Sequence, residues 1–167
     1  NDQIISKEMF VKGEFDLNKL EEVIHFLKKK NYIVENLFDI GANIGVISIP
    51  AISKGLVNKA YAIEPEPDNY KLLKANIIIN DLEEKINCFN LALSNENSQT
   101  VDMEISADNS GDHRVRNIVK FNTHGEENRK IIKIKTEKFD NLFNESDYKN
   151  SLIKIDTQGH EPLIIDG

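Results

Sequence analysis

Apolar positions along this chain follow one period in the first half and another in the second. Leu17, Leu20, Val23, Ile24 and Leu27 recur at helical spacing, with Asp16 placed to cap the start. Lys28, Lys29 and Lys30 close that segment at the end where a helix dipole favours cations, so the pattern predicts a helix to about Lys30 with a solvated end. Asn36–Ile40 is a short apolar run and reads as a strand, Ile44–Lys54 as a helix, and Ala60–Glu64 as a second strand. Pro50 falls inside the second helix, where it forces a kink or a late start at a cost of up to about 3 kcal/mol. Pro67 and Asp68 open a third helix carrying Tyr70, Leu72, Leu73, Ile77 and Ile79 and stopping near Asn80; Ile86–Leu93 is the third strand.

Beyond it the pattern changes. Val101, Met103 and Ile105 alternate with Asp102 and Glu104, as in a strand with one wet face. A polar loop with Gly111 follows, then Ile118–Phe121 as a hairpin partner, Ile131–Thr136 as a further strand, and Leu152–Asp156, a short apolar strand ending in an acid. Residues 1–15 alternate only weakly and read as a lead-in strand or arm. Residues 1–35 are therefore assigned to an N-terminal arm and helix, and 36–167 to one α/β domain. Strands alternating with helices imply a mostly parallel sheet, with the antiparallel pair as an insertion.

The chemistry concentrates where the first two strands end. Leu37–Gly45 places an acid, Asp39, just before a turn holding Gly41, Asn43 and Gly45, and Glu64 follows about 20 residues later, where a carboxylate can accept both hydroxyls of a ribose. A dinucleotide fold wants G-x-G-x-x-G with a helix N-terminus aimed at pyrophosphate. Here the spacing is D-x-G-x-N-x-G. Asp39 repels an anion and attracts an ammonium, so S-adenosylmethionine, with its ribose, sulfonium and amino-acid end, fits better than NAD.

Bulk properties narrow the choice further. At 167 residues the chain is one domain and can bury a real core. Against 21 Lys and Arg stand 28 Asp and Glu, a net charge of −7, which disfavours duplex nucleic acid as a partner. The single cysteine, Cys88, lies in an apolar strand pattern, so no disulfide framework exists and a reducing compartment, the cytoplasm, is expected. No apolar run approaches the roughly 20 residues that span a bilayer, and no secretory apolar region is present. The first residue is Asn1 rather than Met, which leaves room for a removed segment.

Taken together, the motifs resemble the FkbM-family methyltransferases, a branch of the class I S-adenosylmethionine-dependent enzymes. They come in family order: Phe38–Gly45, Ile63–Pro67, Asn90–Asn95, Phe139–Leu142 and Leu152–Glu161. The resemblance spans about Phe38 to Gly167, and D-I-G-A-N-x-G together with K-I-D-x-x-G-x-E carries its specificity. It implies a Rossmann-like three-layer sandwich, S-adenosylmethionine as cofactor, and O-methylation of hydroxyls on sugars, glycans or other small metabolites. Measured against the family, the chain stops short of the last strands of the sheet. The strand at Leu152–Asp156 is then expected to expose an apolar edge that favours self-association.

Residue by residue, Asp39 is expected to bind the cofactor's ammonium, Gly41, Asn43 and Gly45 to form its turn, and Glu64 to clamp the ribose. Asn90 or Ser94 would serve the adenine side, and Asp156 would face the methyl-donor end. His160, close behind Asp156, is a candidate general base, as is Asp156 itself, because a hydroxyl acceptor is a poor nucleophile. His113 sits in a Gly/Asp/Ser loop that could fold over the site; His25 reads as structural and His124 as solvated. No H-x-x-x-H or C-x-x-C pattern exists, so no metal site is expected. Arg114, Arg116, Lys120, Arg129, Lys130, Lys133 and Lys135 make a locally basic stretch, read as solvated strand faces or as a steering field for an anionic acceptor. The alternatives are an NAD-dependent oxidoreductase, a nucleic-acid methyltransferase, and a module that binds the cofactor without turnover.

Overall fold

The computed structural model describes residues 16–106, 111–116 and 129–167. Four parallel strands form the main sheet: β1 (Asn36–Ile40), β2 (Lys59–Ile63), β3 (Ile86–Phe89) and β8 (Ser151–Ile155), in the order β3-β2-β1-β8. Ile40 is level with both Ile63 and Ile155, so β1, β2 and β8 end together and present their carboxyl termini along one edge.

The two faces of this sheet are covered by different chemistry, and the alternation of side chains along each strand makes the division. Leu37, Ala60 and Ala62 point to one face. There they pack under α1 (Leu17–Lys29), α2 (Ser48–Ser53) and α3 (Pro67–Ile79), with Leu17, Leu20, Ile24, Leu73 and Ile77 all buried. Phe38, Ile40, Tyr61 and Ile63 point to the other face. Here the short helices α4 (Phe139–Leu142), α5 (Glu145–Tyr148) and α6 (Glu161–Ile165) follow later in the chain. Phe38 and Tyr61 stack with centroids 4.5 Å apart, and Phe143 meets both rings edge-on. Aromatic pairs in such geometries add roughly 0.5–1.5 kcal/mol each beyond area burial. The result is the expected three-layer sandwich.

A second sheet stands beside it, in the order β4-β7-β5-β6. Its strands are β4 (Ala92–Leu93), β5 (Gln99–Ile105), β6 (Arg114–Val115) and β7 (Lys130–Glu137). The antiparallel insertion is thus a separate mixed sheet rather than a hairpin on the first. β5 pairs with β7 from Gln99↔Thr136 to Ile105↔Lys130 and with β6 at Met103↔Val115. The expected partner Ile118–Phe121 lies outside the described residues, as do the arm at 1–15 and His124. Val101 and Met103 face Ile134 and Ile132 on the covered side. On the wet side the basic stretch is largely paired: Lys133 with Asp102, Arg114 and Arg116 with Glu104, and Arg129 with Asp112.

Three local expectations change, while for Pro50 the late start of its helix holds. Asp16 stands at the α1 N-cap in a left-handed conformation and bonds Lys19 rather than a backbone N–H. The second helix begins at Ser48, not Ile44, because residues 41–47 form turns. Pro50 then falls in its first turn and merely skips one bond between Ile49 N→Gly45 O and Ala51 N→Ile47 O. The third strand breaks at Asn90, and Ala92–Leu93 leaves to join the second sheet. At the edge of the first sheet, Ile153 of β8 is 46% exposed, and among the described residues only β1 pairs with that strand.

Candidate functional site

A cavity of about 540 Å³ opens where β1, β2 and β8 end, bounded by α1 on one side and by Met103, His113 and Val115 of the second-sheet region on another. Its position at the carboxyl edge of a parallel sheet is where α/β proteins hold ligands, and its volume suits a small molecule. Gly41, Asn43, Glu64, Asp156 and His160 line it, whereas Asp39, Gly45 and Asn90 do not.

Glu64 is the centre of the arrangement. Only 5% exposed, it accepts from Asn43 N (2.8 Å) on one carboxylate oxygen and from Glu66 N (2.9 Å) on the other. Burial pushes its carboxyl up to about 7, against the pull of those two backbone bonds. Glu66 continues the design one step outward: as the α3 N-cap its side chain accepts from Asn69 N at 2.6 Å. Asn90, which breaks β3, donates to the Glu64 and Pro65 carbonyls at 3.0 and 3.1 Å. It is therefore a positioning residue for Glu64. Asn90→Ala should lower the melting temperature by the loss of about 1–2 kcal/mol and weaken ligand binding only modestly, checked by thermal unfolding beside calorimetry.

The turn after β1 spends all of its backbone donors inside the protein. Gly41 N and Ala42 N donate to Ile63 O, Asn43 N to Glu64, Ile44 N to Asn43 Oδ1, and Gly45 N to Ala42 O. No N–H from 41 to 45 is left to cradle a phosphate. Gly45 serves packing: at φ +92° an added Cβ would stand 2.7 Å from Ile49 Cδ1 and 2.9 Å from Leu73 Cδ1.

Asp39 differs most from expectation. Its carboxylate is fully buried, accepts from Ser48 Oγ at 2.6 Å, and forms an ion pair with Lys154 Nζ at 3.0 Å. Both oxygens are thus engaged behind the cavity wall, and the ammonium that reaches the cavity is the protein's own. Lys154 also donates to Gly41 O at 3.0 Å. Burial works against its charge, yet the Asp39 carboxylate more than compensates and holds it above the ordinary lysine range. Sequence reasoning passed over Lys154, although a lysine inside an otherwise apolar strand signals a buried acid partner.

The loop after β8 completes the wall. Glu161 accepts from Thr157 N and Gly159 N, both at 2.9 Å, and so holds its own loop closed. Asp156 is exposed at the rim and accepts from Gln158 Nε2 at 2.9 Å. Thr157 Oγ1 is buried, in a side chain that lines the cavity. His160 is 4% exposed, with Nε2 3.3 Å from Ser94 Oγ; burial pushes it below the ordinary histidine range. His113 accepts from Ser106 N on Nδ1 and is likewise pushed down by burial. Among the described residues no cluster of His, Cys, Asp or Glu is placed to hold a metal ion.

These residues fit S-adenosylmethionine. A carboxylate stands where a ribose diol can donate to it, a charged pair lies along the same wall, and the turn after β1 keeps no N–H for a pyrophosphate.

A curated tRNA (guanine(37)-N(1))-methyltransferase from Xenopus tropicalis is 32% identical over 94 residues, 50% of this chain and 18% of that protein. The chain thus spans under a fifth of that relative. The crystal structure of an FkbM methyltransferase from Methylobacillus flagellatus matches 80% of this chain and 28% of its own length, at 19% identity and a TM-score of 0.50. TYW2 of P. horikoshii, solved in complex with MeSAdo, matches 39% of this chain and 25% of its own at 31% identity and a TM-score of 0.34. The methyltransferase FkbM domain model matches residues 39–167, from the buried acid of β1 through α6, and the chain belongs to that family.

Proposed function

We propose that the protein is an S-adenosylmethionine-dependent O-methyltransferase acting on a hydroxyl of a sugar, glycan or other small metabolite. The observation that carries this reading is Glu64, buried at the cavity beside a turn whose N–H groups are all spent. That combination suits a neutral ribose and excludes the anion cradle of a dinucleotide. When bound, S-adenosylmethionine supplies a methyl group on a cationic sulfur.

The chain's own residues would hold and align the reactants. Glu64 would orient the ribose, Gly41 and Asn43 would shape the floor, and the apolar wall from Val46, Leu93, Met103 and Val115 would exclude water. Alignment of this kind can supply about 7–11 kcal/mol of the barrier. His160 and Asp156 are the candidates to take the acceptor's proton. Burial keeps His160 neutral near pH 7, so its base form is present there. With His160→Asn and Asp156→Asn combined, turnover at saturating cofactor should fall by about 10²-fold or more. Unchanged turnover removes both from that role.

A second reading, methylation of a tRNA, is favoured by the likeness to the Xenopus tropicalis enzyme. It is opposed by the net charge of −7 and by the pairing of Arg114, Arg129 and Lys133 with Glu104, Asp112 and Asp102. The single free thiol, Cys88, supports a cytoplasmic setting. The test is calorimetric titration of S-adenosylhomocysteine into the folded protein. Micromolar binding supports the reading, and its absence overturns it. Labelled methyl transfer to glycan fractions against total tRNA, with the salt dependence of any RNA binding, then separates the two acceptor classes.

A further inference from the structure

The cavity has a charge arrangement that the family resemblance did not supply. Lys154 and Asp156 are two residues apart on β8 and its extension, where Asp156 N still bonds Ile40 O, so they share a face of the strand. Both line the cavity. Lys154 Nζ has three donors; one goes to Gly41 O, and the ammonium sits 3.0 Å from Asp39 Oδ1 as an ion pair. Its side chain is 27% exposed, whereas Asp39 behind it is fully buried. A ligand therefore meets the ammonium before the carboxylate that balances it. The other candidate donors along this wall are weaker: backbone N–H groups 41–45 are spent, Lys19 is bound to Asp16 in solvent, and burial favours the neutral forms of His113 and His160.

We propose that Lys154 anchors the carboxylate of the amino-acid end of the cofactor, with Asp156 receiving its ammonium, so that β8 reads this zwitterion with opposite charges at alternate positions. The proposal rests on the S-adenosylmethionine reading above, and it gives Lys154 the contact that the sequence alone assigned to Asp39. Asp39 becomes the residue that holds Lys154 in place.

Three ligands separate the possibilities. S-adenosylhomocysteine carries both charges, its decarboxylated analogue keeps only the ammonium, and 5′-methylthioadenosine has neither. Lys154→Met alone would strand Asp39 buried and unpaired, so it is combined with Asp39→Asn, which removes both charges together. The native protein should prefer S-adenosylhomocysteine over the decarboxylated analogue by roughly ten- to a hundred-fold. The double variant should lose that preference while binding methylthioadenosine as the native protein does, and Lys154→Arg should retain it. A preference that survives in the double variant overturns the proposal, and so does a parallel loss of all three ligands, which marks a purely structural role. Native protein that binds adenosine ligands without preference defeats this inference alone. Folded native protein that binds none of them defeats the cofactor reading as well.

Discussion

Replacing Glu64 with alanine should weaken S-adenosylhomocysteine binding by about 10²–10⁴-fold, because two hydrogen bonds to a charged acceptor are lost at roughly 1.5–3 kcal/mol each. The effect is large because the site around Glu64 is already committed. Its two oxygens are fixed by Asn43 N and Glu66 N, so the remaining lone pairs are held in place before any ligand arrives. The same burial makes the site pH-sensitive. In the folded protein the carboxyl titrates at about 7, against an ordinary 4.5, so the folded state binds the proton more tightly than the unfolded one. Its contribution to stability is complete below pH 4.5 and is lost as the pH rises through 7, amounting to roughly 3 kcal/mol. Ligand binding should run the other way. A ribose that donates to the ionised carboxylate lowers its pKa, so affinity should climb with pH up to about 7 and level off, with proton release below that point. Calorimetry in buffers of different ionisation enthalpy measures this directly; affinity flat from acid to neutral pH removes Glu64 from the ribose. In Glu64→Gln the slope should vanish.

What could be read from the chain, and what could not, follows from the range of each interaction. The short apolar runs Leu37–Ile40 and Ala60–Ile63 are a local property and were enough to read two strands, whereas the division of their side chains between two faces came from the structure. The Gly turn and Glu64 were legible because their spacing encodes one supersecondary unit. The partner of Asp39 was not, since Lys154 lies far along the chain and meets it only because β8 pairs with β1. Nor was the second sheet. β4 is two residues long, and its departure from β3 depends on Asn90 turning its side chain to the Glu64 and Pro65 carbonyls. The start of α2 was misplaced because apolar Ile44, Val46 and Ile47 mimic helical spacing while the backbone is occupied by the turn. Lys154 and Asp39 show the general limit: a charged residue in an apolar strand announces a partner without saying which.

Gly41→Ala should be the most damaging single methyl in the molecule. The backbone at Gly41 has φ +80°, where an L side chain costs roughly 1–3 kcal/mol. A Cβ there would stand 2.0 Å from Asp156 O and 3.0 Å from its carbonyl carbon. Those atoms are backbone, anchored by Asp156 N→Ile40 O, so they cannot swing aside as a side chain would. Relief requires β1 and β8 to part at their carboxyl ends, adding about 1–3 kcal/mol or more. At roughly 2–4 °C per kcal/mol for a chain of this size, the melting temperature should fall by about 10 °C. Function should suffer more than stability. Gly41 O is one of the two acceptors of Lys154, and Asp156 is the cavity residue pushed away, so the same displacement disturbs both charges that face the ligand. Gly55→Ala is the control: its φ is +67°, yet an added Cβ meets nothing within 4 Å. It should show backbone strain alone, with ligand binding intact. Equal melting and equal binding in the two variants would mean that the β1–β8 junction is loose, and that neither strand end is held tightly enough to position a ligand.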